Sequence, residues 1–419
     1  MEDIRGLEAG IPSCCPYGCR VQRLVGVDVA RGLAVLGMFA AHLGSRDNDF
    51  WTATGWLRVA DGRSAATFAL LAGVSAALLS GGPAPVEGLR LRRARVRIGV
   101  RAAVLLPLGL ALTALDTPIA VILPGYAVMF ALVTVALRWS RRVLLVAAGA
   151  FAALGPLVLQ AVAAATEQDG GELPLPVGLL VGHFYPAVVW MAYLLVGVAV
   201  GRTDLRSHGL PTRFLVTGTA LAVVGYGTAR LAPALIDPSH TLRRALLSAH
   251  PHANTGPEVL GNVGVVLCVL GVSIVAARRV PRVVEPLAAT GALALTAYCV
   301  HIAVIAVMGS GVVWDGSNLR LLGFVVVTLV VTTAWRRLVG RGPLEQLLHR
   351  VSTGVADAVV ARSDPRDELP VEDREPPVLR LAPRPPGVGQ DLQGDVVGKP
   401  VGDRLPGELR RDDPLGPHP

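Results

Sequence analysis

The residues in this chain best suited to chemistry are histidines set in or beside long apolar stretches. His42 ends the stretch VDVARGLAVLGMFAAH, His183 stands near the start of another, and His301 closes LAATGALALTAYCVH. His240, His250 and His252 lie in one polar connection, which runs on as PHANTGPEVLGN and adds Asn254, Thr255, Glu258 and Asn262. Imidazole titrates near neutrality, so it is the usual general base and proton carrier. His42, His252 and His301 are therefore candidate catalytic groups, with Asp61 as the carboxylate that would orient His42. His183, Asn254, Glu258 and Asn262 are candidate substrate contacts. For each, the plain alternative is a packing residue satisfied within its helix. The lone His250-x-His252 spacing lacks the helical pairing of a zinc site, so no metal is expected.

Charges inside apolar stretches form a second set. Ionisable groups at membrane depth are costly and mark candidate sites. Asp28 and Arg31 are three apart and share a helix face. They read either as an anchor for a phosphate-bearing cofactor or as a structural pair. His42 lies fourteen residues beyond Asp28, about 21 Å along a helix, and so at the opposite end. The run Asp61-Gly62-Arg63-Ser64 opens the next stretch. Asp61 or Ser64 is expected to cap that helix, and Arg63 to hold an acidic group near His42. Asp28, Arg31 and Arg63 are the candidate cofactor contacts.

These residues need elements to position them, and composition says which. The chain has 419 residues, 52% of them hydrophobic and 17% charged, with a mean hydropathy of +0.53. A soluble domain carries about 25% charged residues, so a soluble globular enzyme is excluded. Ten apolar runs approach the ~20 residues that cross a bilayer: about 25–44, 64–80, 97–115, 119–137, 142–165, 178–200, 213–233, 258–277, 286–309 and 319–338. Alternate connections are arginine-rich: Arg90–Arg97, Arg138–Arg142, Arg202–Arg213, Arg278–Arg282 and Arg336–Arg341. The others are short, neutral, acidic or mixed. The positive-inside rule puts the arginine connections in the cytoplasm. The expected fold is an all-α polytopic transmembrane helix bundle of about ten spans with both termini cytoplasmic. Residues 1–24 read as a cytoplasmic leader, 25–350 as the membrane domain and 351–419 as a disordered tail.

The net charge of +8 divides unevenly. Residues 361–419 hold nine Lys/Arg against twelve Asp/Glu, a net of −3, which leaves +11 on 1–360. This excess orients helices, and with 5% aromatics and no recognition motif, nucleic-acid binding is set aside. Cys14, Cys15 and Cys19 have no fourth zinc ligand nearby and read as free thiols. Lys399 is the only lysine, a bias that suggests a bacterial coding sequence and hence a bacterial plasma membrane. No clear pair of broken helices, the mark of an inverted-repeat transporter, is visible.

The segment GVDVARGLAVLGMFAAH followed by ADGRSAATFALLAGVS resembles the opening of bacterial heparan-α-glucosaminide N-acetyltransferase-like and DUF418 proteins. HFYPAVVWMAYLLVGVAVGR, PHANTGPEVLGNVGVVLCVLG and LAATGALALTAYCVH are similar as well, so the resemblance covers about 25–350. It implies acyl transfer from cytosolic acetyl-CoA, or another acyl-CoA donor, to an amino- or hydroxy-bearing glycan or small acceptor at the far face. The family's histidine precedes the aspartate that matches Asp61. Here that region reads DFWTATGWLRVAD and holds none. His42 would then act from a displaced position, or acylation would be direct. A transporter or flippase of a small polar or lipid-linked solute is the alternative, and a non-catalytic scaffold the third. The expected partners are the bilayer and the acceptor, with a homodimer left open.

Overall fold

A computed structural model describes residues 24–45, 52, 55–169, 173–182 and 184–362. The leader, its three cysteines, His183 and the polar tail from 363 on lie outside the described residues. The described residues all fall within one compact unit. All regular structure among the described residues is helical: α1 Val25–Leu43, a 3-10 turn Gly55–Ala60, α2 Arg63–Leu79, α3 Gly88–Thr113, α4 Leu123–Ala136, α5 Arg141–Asp169, α6 Leu175–Val181, α7 Ala187–Gly201, α8 Leu210–Leu235, α9 Thr241–Leu246, α10 Gly256–Arg279, α11 Pro281–Ala292, α12 Ala294–Met308, α13 Gly311–Trp314, α14 Asn318–Leu338 and α15 Pro343–Ala361.

The chain is a multi-pass membrane protein. Among the described residues, seven helical segments are long and apolar enough to cross a bilayer: α1, the 3-10 turn with α2, α3, α5, α8, α10 and α14. α4 and α7 are apolar but shorter. α11 and α12 together form a broken segment, bent by 71°. Each of the ten apolar runs thus contains a helix, or in one case a bent pair. Outward faces of α5, α8 and α14 expose large aliphatic side chains such as Val146, Val216 and Val330. That pattern suits contact with lipid.

Lipid tails are as apolar as leucine, so helices in a membrane associate through close fit rather than hydrophobic drive. The fit here comes from facing glycines. A Cβ on Gly73 would collide with the Leu194 carbonyl, and one on Gly197 with the Leu70 carbonyl, so α2 and α7 touch backbone to backbone. Gly32 and Gly291 bring α1 onto α11 in the same way. Arg202 closes the end of this core. It donates to the carbonyls of Gly82 at 2.7 Å and Ala77 at 3.3 Å and to Ser80 Oγ at 2.9 Å. It thereby supplies a donor to the Gly82 carbonyl beyond the end of α2 and adds to the Ala77 carbonyl, which already accepts the Ser80 and Gly82 N–H groups.

Three expectations need correction. Residues 351–361 are helical, because Leu344, Leu348, Val351 and Val355 keep helical spacing. Small Ser352 and Ala356 let α15 pack closely, both fully buried, and Arg93 of α3 pairs with Asp357. The segment read as one straight span over 286–309 begins at Pro281 and breaks at Leu293. Neither Asp61 nor Ser64 caps α2: Gly62 holds the cap position at φ +68°, and no side chain bonds there.

Candidate functional site

α1 and α12 bring His42 and His301 together. His42 Nδ1 lies 3.2 Å from His301 Nε2, and the rings are nearly parallel, their centroids 5.4 Å apart. His301 is buried. Its ring is held by Phe39 at 4.8 Å and by the edge of Tyr298 at 5.2 Å. His301 Nδ1 is buried and has no hydrogen-bond partner among the described residues. Where His301 Nε2 accepts from His42 Nδ1–H, His42 Nε2 is the basic nitrogen of that ring.

His42 borders a cavity of about 30 Å³ that Ser64, Tyr185, His252 and Tyr298 also line, while His301, behind it, lines a separate apolar cavity of about 520 Å³. The third candidate histidine therefore faces the first. Ala60 and Gly62, on either side of Asp61, also line this cavity. A void of this size holds little beyond one or two waters. Among group-transfer fragments it suits one as small as an acetyl.

His252 is fixed by a buried polar network rooted in α10. Glu258 stands in the helix's first turn, where a carboxylate is favoured. Its Oε1 accepts the His252 backbone N–H at 2.8 Å and its Oε2 that of Asn254 at 2.7 Å. His252 and Asn254 both take left-handed backbone, φ +63° and +55°. Non-glycine residues hold this conformation only when surroundings enforce it, and here the carboxylate does. Trp190 Nε1 donates to Asn254 Oδ1 at 2.8 Å. Asn262 donates to Tyr193 Oη at 3.0 Å and accepts from Tyr226 Oη at 2.6 Å. The His252 ring stacks on Trp190 and meets the edges of Tyr185 and Phe184.

Asn254, Glu258 and Asn262 are thus buried braces for His252 and do not line the cavity. Arg63 is also placed differently from expectation. Its Nε donates to Tyr226 Oη at 2.8 Å, with the guanidinium over that ring. It lies twelve residues before Ser75 on α2, about 18 Å away, so it does not share a site with Asp28 and Arg31.

Those two do sit together. Arg31 donates to Asp28 Oδ1 at 2.9 Å, Ser75 Oγ at 3.0 Å and the Gly291 carbonyl at 3.2 Å. Arg31, Ser75, Arg101, Tyr126 and Glu345 line a second cavity of about 230 Å³. Arg101 Nε is buried there without a hydrogen-bond partner. Glu345 accepts from the Thr296 hydroxyl at 2.6 Å and backbone at 3.0 Å, tying α15 to α12. Between the two cavities stand three stacked rings: Phe68 lies 5.7 Å from Tyr126 and 6.4 Å from Tyr298.

Tyr185, Tyr298 and Ser75 are site residues that sequence reading did not single out, and Ser64 was read only as a helix cap. The one signal for the tyrosines was their place inside or beside spans in a chain with few aromatics. Among the described residues, no cluster of three or more His, Cys, Asp or Glu has the geometry to hold a metal ion.

A family model described as heparan-alpha-glucosaminide N-acetyltransferase, catalytic, matches residues 23–228. A second, for a protein of unknown function, DUF418, matches residues 213–355. No curated protein matches the chain. The matched segments together carry every residue of both cavities.

Proposed function

The chain belongs to the heparan-α-glucosaminide N-acetyltransferase-like and DUF418 family, and from that premise we propose that it is an acetyl-CoA-dependent acyltransferase of the bacterial plasma membrane. The arginine connections face the cytoplasm. Acetyl-CoA enters the 230 Å³ cavity, where Arg31 and Arg101 meet its phosphates and Ser75 its amide groups. His42 lies eleven residues beyond Arg31 on α1, about 16 Å further across the bilayer. The thioester end reaches it past Phe68, Tyr126 and Tyr298.

At the small cavity, His42 Nε2 takes the proton from an acceptor amine or hydroxyl, and the freed lone pair attacks the thioester carbonyl. The carbon–sulfur bond breaks, and the thiolate of CoA leaves with that proton. If His42 itself carries the acetyl group, the same steps run twice with imidazole as the first acceptor. In either case His301 sets the tautomer. His252 contacts the acceptor, an amino- or hydroxy-bearing glycan or small molecule at the outer face. The observation that carries this reading is His42, backed by His301 at 3.2 Å, opening on a cavity of acetyl size that His252 also lines.

The test is purified protein with labelled acetyl-CoA and a panel of amino and hydroxy sugars. Transfer that disappears in His42→Ala supports the reading. Absence of transfer to every acceptor, together with no CoA-dependent thermal shift, refutes it. The transporter alternative draws on the α11–α12 break, since His301 sits in a bent span of the kind that lines permeation paths. Proteoliposome uptake of a sugar without CoA would favour it.

A further inference from the structure

A void of about 700 Å³ forms an apolar groove between α1, α2, α10 and α14. Along α1 its wall is Leu33, Leu36, Gly37 and Ala40, one helical stripe. On the facing side Leu321, Leu322 and Val325 of α14 complete it. α14 itself buries only Leu321 and Thr332, so this wall is open along its length. Of the polar groups of the groove, Arg63, Ser64 and Asn318 stand at the His42 end and Thr67 lies one turn further along α2 with its hydroxyl donating to the Arg63 carbonyl, while the rest of the lining is hydrocarbon. The lining is therefore amphipathic along its axis, polar at one end and apolar over about two helical turns.

Groove and histidine cavity share a wall. Ala60 and Ser64 line both. Gly37 makes the shared wall thin, because a Cβ there would collide with the Ser64 hydroxyl. A molecule lying in the groove with its polar end at Arg63 has its head group one side chain from His42.

From this we infer that the acceptor is lipid-anchored: its hydrocarbon tail lies in the α1–α14 groove and its amino- or hydroxy-bearing head group reaches the histidines from the side. This rests on the acyltransferase reading and names the acceptor class for that site. Continuity with the histidine cavity and the matching polarity of the groove select this occupant over a bulk lipid chain, which needs no polar end beside Ser64.

The experiment uses the full chain in lipid nanodiscs with methyl and octyl glucosaminide as acceptors. Membrane partition alone lowers the apparent KM of the octyl compound, equally for all variants. The groove's own share is read by filling it with Val325→Phe or Ala40→Phe. These raise the octyl KM about tenfold and leave the methyl acceptor unchanged, the usual penalty for lost apolar fit in a pocket. A second reading needs no turnover: a bromo-octyl glucosaminide quenches Trp56, which lines the groove, in wild type and not in Val325→Phe. Equal KM changes for both acceptors, or quenching indifferent to Val325→Phe, overturn the lipid-anchored acceptor. Failure of transfer to either compound, with quenching intact, instead strikes the acyltransferase reading and leaves the groove as a glycolipid site.

Discussion

Removing the Glu258 carboxylate tests how the His252 loop is held. The carboxylate accepts two backbone N–H groups, from His252 and Asn254, each on left-handed backbone. Glu258→Ala leaves the buried Asn254 N–H unsatisfied, at a cost of about 1–3 kcal/mol. The half-buried His252 N–H can reach water and adds about 1 kcal/mol. The left-handed residues lose their brace, and whatever strain the native state retains, of order 1 kcal/mol each, is no longer offset. Together these give about 4–6 kcal/mol. Glu258→Gln keeps one acceptor but turns an amide toward the other N–H, so about 2 kcal/mol is lost. Trp190 reports directly, since its indole bonds Asn254. Its fluorescence is followed through denaturant unfolding in detergent, against a Trp190→Phe reference. Ordering of wild type, Gln and Ala with those gaps supports the account. A Glu258→Ala protein within about 0.5 kcal/mol of wild type, the range of an ordinary surface change, would refute it.

Other outcomes follow from the same contacts. His42→Gln lowers kcat about 10²–10⁴-fold, the range for a lost general base, and adding His301→Gln lowers it little further, because the two act as one unit. Strictly additive losses in the double-mutant cycle would separate them. Gly73→Ala drives a methyl into the Leu194 carbonyl and splays α2 from α7, which a thermal-unfolding midpoint well below that of Gly99→Ala would reveal. The pKa of His349 on α15 is lowered by burial and by Arg341, Arg97 and Arg101. The docked helix thus prefers neutral imidazole. Its contribution is full above the ordinary histidine pKa and falls as pH drops through about 6.5. Hydrogen exchange in α15 accelerates at pH 5.5 relative to 7.5 after correction for intrinsic rates, and His349→Gln removes that difference.

The bundle was legible because a bilayer imposes a crude, long-range signal: twenty apolar residues, then arginines on alternate sides. His42, His252 and His301 could be named as one group because each sits at the same end of its segment; the structure brings His42 and His252 to one cavity and sets His301 against His42. Arg63 was misplaced because its neighbours in sequence suggested a charge site, whereas the partner that claims it, Tyr226, is 163 residues away. Asn254, Glu258 and Asn262 look like substrate contacts in a one-dimensional reading. Only folding reveals that their polar atoms are spent on backbone and on one another. The tail boundary failed for a different reason. Val351–Ala361 lacks the hydrophobicity of a span, yet its helical stripe suffices to dock on α3. The break at Leu293 follows Gly291 by two residues, and glycine recurs through these apolar runs too often to mark one break.

The central claim is that this membrane bundle moves an acetyl group through His42. The direct measurement is release of free thiol from acetyl-CoA, coupled one-to-one to label appearing on an amino-sugar acceptor, in wild type and His42→Ala at matched folding. The account predicts stoichiometric transfer in wild type and a loss of at least about a hundredfold in the variant. Equal turnover in both proteins would contradict it.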